Sequence, residues 1–574
     1  MKYWSILLFA LLFLPISIYA TQSNNKYGIH LAQPQSQDIQ AASDLVNFNG
    51  GRWGYVTLVI QENDRSQEKW QGIFDQMREL HLIPIVRLAT QPEGENWRRP
   101  EEKDTDDWIK FLDSLNWVVK NRYVILFNEP NHGSEWGGEV DEKSYAKVAF
   151  AFAKALKEKN QDFFVMLAGF DASAPSWQPG MEDEEVFIRK MLIDSVSDSK
   201  KISPSSSTPI NIFDYIDGWA SHSYPNPGFA GSPYDWGRGS VKSYEWELGM
   251  LQRLGVTKDL PVFITETGWK RQTQNSKVKS QNLGEQEVAK YFKMAFEQVW
   301  NQDNRVQAVT PFVLDYQGPP FLEFSWKKYQ SADFYQQYYS VQSLSKTKGE
   351  PEQIEKGSIG FDLPKELVAQ SKYNFRVTLK NQGQAIWEKD DGYELLVSSY
   401  LGEKPTNFLT SDIKDIKPFE EKTVEFSLKT VSEKDKEEIK FLLTKDNQIV
   451  FESKPWQFKV LPLPDLNLKV NFWPIGRAKG DDFEVQVFNT DDRLVFKKKG
   501  VKFTDGQGIV KSIQNIAIDE LYRIVVLKPG YLPRQTFIVF QTTNNSVRFK
   551  SLLPFDLNRD GKFDLKDFLK IIGR

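Results

Sequence analysis

Two glutamates sit in short strings that close apolar, β-prone runs: Phe127-Asn-Glu129-Pro-Asn131 and Ile264-Thr-Glu266-Thr-Gly-Trp269. Carboxyls at the C-terminal ends of two strands can share the cleavage of an acetal. One protonates the departing oxygen while the other attacks the anomeric carbon. The predicted roles are general acid, then base, for Glu129 and nucleophile for Glu266. Asn128 offers an amide to a sugar 2-hydroxyl, a contact that strengthens in an oxocarbenium-like transition state. Pro130 biases Glu129 toward extended backbone, which predicts a carboxyl held on the strand end. Strand ends four and seven of a barrel bring two carboxylates to about 5–5.5 Å, the separation for retention of configuration. For either glutamate alone, a plain loop residue is the alternative.

The elements that must position this pair are legible as alternating runs. Strands are predicted at Tyr27–Leu31, Tyr55–Ile60, Ile83–Leu88, Tyr123–Phe127, Phe163–Gly169, Gly218–His222, Val262–Thr265 and Ala308–Leu314. Helical periodicity fills the intervals, and Tyr145, Val148, Ala149, Phe152 and Leu156 make one apolar face within Lys143–Glu158. Eight strand–helix pairs over residues 26–345 predict an α/β fold of the (β/α)₈ TIM barrel type. An open doubly wound sheet is the runner-up; a closed rim brings both glutamates together more readily. Residues 346–356 are polar and predicted as a linker. Period-two alternation then predicts two β-sandwich domains, at 357–461 and 466–550, joined by the proline-rich stretch Leu461–Asp465.

Residues 26–345 resemble clan A of the glycoside hydrolases, retaining barrel enzymes that include cellulases, mannanases, galactanases and xylosidases. Three ordered matches carry the likeness: Asn128-Glu129, His222-Ser-Tyr224 and Glu266. The resemblance implies that Tyr224 bonds the nucleophile, that His222 lines the site, and that a rim arginine supports Glu266. Arg87 is the favoured arginine, with Arg52 as competitor. Trp136 and Trp269, near the two glutamates, are candidate sugar platforms. Many members end strand eight in tryptophan; here that strand ends Val313-Leu-Asp-Tyr316 and the nearest tryptophan is Trp326. The substrate implied is a polysaccharide or oligosaccharide, hydrolysed without a cofactor. A non-catalytic, glycan-binding surface protein with a degenerate barrel is the alternative from another class, and retention of both carboxylates argues against it.

The C-terminus carries a calcium-type loop, predicted with the following helix as a module at 554–574. Asp556, Asn558 and Asp560 place oxygens at positions 1, 3 and 5, Gly561 permits the sharp turn, Lys562 offers its carbonyl, and Asp567 takes position 12. The loop resembles dockerin repeats, of which only one is present, so a cohesin-type partner is not expected and a structural Ca²⁺ is. Asn381-Gln-Gly383 through Trp387 resembles an immunoglobulin-like turn, and Pro529–Pro533 a carboxypeptidase-regulatory-like sandwich. The 574-residue chain has no cysteine and a net charge of −4. That balance argues against nucleic acid or a membrane surface as partner, and it excludes thiol chemistry. Residues 1–20 read as a secretory signal peptide, with an uncleaved anchor as the alternative, which predicts an extracellular or cell-surface protein, free of the membrane once cleaved.

Overall fold

The structure, a computed structural model, describes residues 24–202, 211–272, 283–399, 415–558 and 560–571. The predicted signal peptide lies outside these residues. Among them no helix is long and apolar enough to cross a membrane.

The first unit, ending at Ile354, is built on eight parallel strands: β1 (Gly28–Leu31), β2 (Gly54–Gln61), β3 (Leu82–Ala89), β4 (Arg122–Leu126), β5 (Phe163–Leu167), β6 (Trp219–His222), β7 (Val262–Glu266) and β8 (Val306–Val309). Strands β1 to β5 form one continuous sheet and β6 to β8 another. Isolated parallel bridges, Tyr27 with Val309 on one edge and Met166 with Gly218 and Asp171 with His222 on the other, join the sheets and close the barrel. The open-sheet alternative is therefore set aside. Helices follow the strands: α1 (Ser36–Val46), α2 (Gln67–Glu79), α3 (Thr105–Ser114), α4 (Glu142–Lys159), α5 (Glu184–Ile202), α6 (Ser243–Arg253), α7 (Glu285–Ala295) and α8 (Gln336–Gln342).

Local chemistry explains these boundaries. Asp141 caps α4 by accepting from the Ser144 amide, and the helix buries the stripe foreseen from its periodicity, Tyr145 to Leu156. Each large apolar side chain so buried contributes about 1.5–3 kcal/mol. Strand β8 stops earlier than predicted. Beyond Val309 the chain turns across the barrel mouth, where Phe312 N–H bonds Thr267 and Leu314 N–H bonds His30. The segment predicted as a linker packs on the barrel instead. Lys346 is buried and gives its ammonium to the carbonyls of Val341, Gln342 and Leu344 at the end of α8, while the Lys120 amide bonds Glu352.

Among its described residues the second unit, Glu355–Arg574, is all β apart from the short helix Leu565–Ile571 and one 3-10 turn at Lys389–Asp391. Its first half stacks a three-stranded antiparallel sheet on a second sheet around Trp387, Tyr393 and Trp456. The Asn-x-Gly turn has a physical reason: the Asn381 amide bonds the carbonyls of Ala385 and Ile416, and its oxygen accepts from Gly383 N–H. The second half departs from a sandwich of separate sheets. Seven strands run in one continuous order and curl around Phe483, Val485, Phe503 and Ile524. The halves are not loosely hinged, since Leu367 bridges Ala517 and the Tyr373 hydroxyl donates to the Ile516 carbonyl.

Candidate active site

Glu266 is the last residue of β7 and His222 the last of β6. The acid partner is placed differently from expectation. Strand β4 ends at Leu126, Phe127 has φ 72° and Glu129 φ 29°, so Glu129 sits on a sharp left-handed turn rather than on extended backbone. Non-glycine residues adopt such angles only where surroundings impose them. Here the Glu129 amide donates to the Gly169 carbonyl after β5, and the His132 amide donates back to the Glu129 carbonyl.

This turn carries Glu129 toward Glu266. One oxygen of each carboxylate and a ring nitrogen of His222 lie within 4.8 Å of one another. His222 Nδ1 shares a 2.7 Å hydrogen bond with Glu129 Oε1. Tyr224 donates its hydroxyl to Glu266 Oε2 at 3.0 Å, and Arg87 Nη1 donates to Glu266 Oε1 and to Asn128 Oδ1. Gly169 makes this packing possible, because a Cβ there would stand 2.2 Å from the His222 ring. Arg52, the competing arginine, lies elsewhere against His81.

The electrostatics separate the groups. Burial would raise the Glu266 carboxyl, but His222, Arg87, His30 and the Tyr224 hydroxyl together take it down to about 2. Burial works against charge on His222, yet Glu266 and the bond with Glu129 lift it above its ordinary value. Burial, reinforced by Arg87, drives His30 down to about 3, leaving it neutral at Glu266's flank. The site thus holds an ionised, braced carboxylate beside a second carboxyl wired to an imidazole.

Both glutamates line a cavity of about 340 Å³ together with Arg87, Asn128 and Tyr224. Three parts of this cavity escaped the sequence. The first is Glu135, six residues beyond Glu129 on the same loop, whose Oε2 accepts from the Asn128 amide at 3.2 Å. The amide expected to meet a sugar hydroxyl is thus already engaged. Burial, then the neighbouring Glu129, raises the Glu135 carboxyl to about 7. The second is Asp171, joined to His132 at 2.9 Å on the wall. The third is an aromatic side formed by Phe229, Phe312, Phe321 and Phe324, with Trp97 opposite on a short hairpin after β3. Several acids in one loop, and the Phe-rich stretch 312–324, were the available signals.

The two tryptophans predicted as platforms do not reach the cavity. Trp136 is fully buried against Phe127 and Tyr145, and Trp269 packs on Tyr291, Phe292 and Trp300. Their neighbours are strand-end and helix residues whose apolar faces need covering, so core packing claims both rings. Conversely, Trp177 and Trp236 are each 83% exposed.

In the C-terminal loop, Gly561 adopts φ 79°, as the sharp turn requires. Asp556 Oδ2 accepts from Gly561 N–H, while Asp556 Oδ1 is buried without a partner, the kind of oxygen a hard cation would satisfy. Asn558 and Asp560 accept from the amides of Asp560 and Lys562. Asp567 is turned to the backbone: Oδ1 takes the amides of Leu557 and Asn558, and Oδ2 that of Asp564. Only Oδ2 of Asp567 keeps a lone pair for a metal.

No protein-family model matches the chain, and no curated protein matches it. Solved structures align at low identity. An endo-β-1,4-glucanase from Xanthomonas axonopodis pv. citri is 12% identical with TM-score 0.37, over 55% of this chain and 98% of that one. One of two fungal β-1,4-galactanases is 10% identical with TM-score 0.38, over 56% and 100%. A family 51 α-L-arabinofuranosidase from Bifidobacterium longum is 8% identical with TM-score 0.37, over 71% and 97%. At such scores none of these likenesses bears on substrate or on individual residues.

Proposed function

We propose that the chain is a retaining β-glycosidase acting on a polysaccharide or oligosaccharide, with Glu266 as nucleophile and Glu129 as acid and then base. The observation that carries this reading is the approach of the two carboxylates within 4.8 Å inside one cavity, each with different partners. In the first step Glu266 attacks the anomeric carbon, the glycosidic C–O bond breaks, and the Glu129 proton goes to the leaving oxygen. In the second, Glu129 takes a proton from water, whose oxygen displaces Glu266 from the sugar. Arg87 and Tyr224 keep Glu266 ionised and oriented. His222 holds Glu129, and Asn128 is fixed between Arg87 and Glu135.

The predicted leader at residues 1–20 supports an exported or surface-bound enzyme meeting its glycan outside the cell. For the C-terminal loop we propose a structural Ca²⁺ held by Asp556, Asn558, Asp560, the Lys562 carbonyl and one oxygen of Asp567, with no part in the chemistry and no cohesin-type partner. The charge that a cation would bring to the catalytic glutamates is already supplied by Arg87.

The test is a panel of aryl β-glycosides and plant polysaccharides with wild type, Glu129→Ala and Glu266→Ala. Glu266→Ala loses activity on every substrate. Glu129→Ala fails on poor leaving groups, keeps activity on dinitrophenyl glycosides, and with azide yields the β-glycosyl azide. Hydrolysis indifferent to both substitutions would refute the assignment.

A further inference from the structure

The loop after β5 carries Trp177, bare to solvent, although nothing about the loop is slack. Asn131, two residues beyond Glu129, donates its amide to the carbonyls of Asp171 and Glu182 and so clamps both ends of this loop. Within it, Ser176 bonds Glu182 at 2.7 Å and accepts from the Asp183 amide, and Gln178 N–H closes a turn on Pro175. The neighbouring loop after β6 is stitched to it. Asn226 donates to Ser173 Oγ at 2.8 Å, and Arg238 bonds the Ala172 carbonyl and pairs with Asp183 at 2.6 Å. The fixed loop thus presents the whole indole of Trp177 to solvent in a defined place.

Trp177 lies with Arg189 and Arg238 on an open surface groove that borders the catalytic cavity, Ser173 lining both. Its position relative to the chemistry decides what would fill it. Glu129 must face the oxygen that departs, so the chain beyond that oxygen extends past Glu129's own side of the cavity, by His132, Asp171 and Ser173. An indole offers a flat apolar face to the C–H face of a sugar ring, and guanidinium N–H groups can donate to ring hydroxyls.

We propose that the Trp177 groove is a leaving-group subsite that binds the reducing-side sugars of a glycan chain and commits the enzyme to polymeric rather than small aglycones. This rests on the reading of the cavity as a glycosidase site. Binding energy won there, remote from the bond that breaks, is available to lower the barrier on long substrates and is absent for short ones.

The measurement is kcat/KM on a polymer and on an aryl glycoside for wild type, Trp177→Ala and Trp177→Tyr, using β-1,4-galactan, hydroxyethyl cellulose, glucomannan and arabinoxylan as polymers. Trp177→Ala should lose about five- to tenfold on the polymer that wild type cleaves, with aryl-glycoside rates unchanged and Trp177→Tyr largely restored. Equal losses on both substrates, or none on the polymer, would overturn the proposal. Affinity electrophoresis of Glu266→Ala in gels containing the same polymers tests the groove without turnover. Retardation that disappears with Trp177→Ala supports it even if no substrate is hydrolysed, and absence of retardation on every polymer overturns it. Aryl-glycoside hydrolysis lost in Glu266→Ala reports separately on the catalytic reading.

Discussion

Replacing Arg87 by methionine should move the acidic limb of the pH–rate profile by several units. The guanidinium bonds Glu266 directly, and both side chains are largely shielded from water. At an effective dielectric of about 20, two unit charges about 4 Å apart interact by about 4 kcal/mol, or about 3 pK units. With His222 and His30 still beside it, the Glu266 carboxyl should then rise from about 2 to roughly 4–5. Glu266 remains ionised at pH 7, so the variant retains a nucleophile there. Below pH ~5 it loses one, where wild type does not. The same shift acts on folding. A carboxyl depressed in the native state contributes stability that is fully present above its unfolded value and is lost as pH falls through the folded one. That contribution, about 3 kcal/mol in wild type for a fall to about 2, shrinks in Arg87→Met, and the acid-unfolding midpoint moves to higher pH. The assay is kcat/KM from pH 3 to 8 on the best aryl glycoside, with circular dichroism confirming the fold at each point. An acidic limb that stays put in a folded variant would show that the guanidinium does not set the state of Glu266.

Other expectations follow from the same geometry. Glu135→Gln keeps an acceptor for the Asn128 amide but removes a carboxyl raised to about 7. Because that native group holds its proton longer than the unfolded one, wild type loses stability as pH climbs from about 4.5 to 7, by up to about 3 kcal/mol; the variant should not, and thermal melts at pH 4.5 and 8 check it. Gly169→Ala should cost at least about 100-fold in kcat, since the new methyl displaces the His222 ring that holds Glu129, while far-ultraviolet dichroism stays unchanged. Calcium at about 100 times its Kd should raise the stability of the full chain by about 2.7 kcal/mol in calorimetry, reversibly with chelator. Asp556→Ala should abolish that response because it removes the orphaned oxygen.

The barrel was readable because each strand is a short, nearly continuous apolar run and each helix has a 3.6-residue stripe. The approach of Arg87 and Tyr224 to Glu266 was implied by the resemblance to clan A, and the structure places all three, with His222, on or just past strand ends. Legibility failed where loops decide. Trp136 and Trp269 stand close in sequence to the glutamates, but the loop path turns their rings into the core. Glu135 and the phenylalanines at 312, 321 and 324 reach the cavity only because their loops fold back over the barrel mouth. Pro130 pointed to extended backbone at Glu129, yet the bonds to Gly169 and His132 impose a left-handed turn, a case of tertiary contacts overriding local preference.

The way the barrel closes has a consequence for how reactivity is tuned. Glu129 belongs to the five-strand half and Glu266 to the three-strand half, and the seams between the halves are spanned by isolated bridges, Tyr27 with Val309 on one side and Met166 with Gly218 and Asp171 with His222 on the other. Side chains also reach across the gap between the reacting groups: Arg87 from β3 to Glu266, and His222 from β6 to Glu129. Substitutions along either seam, far from any sugar, act as a vernier on that gap. They offer a route to retuning turnover in which the chemistry-bearing residues are left alone.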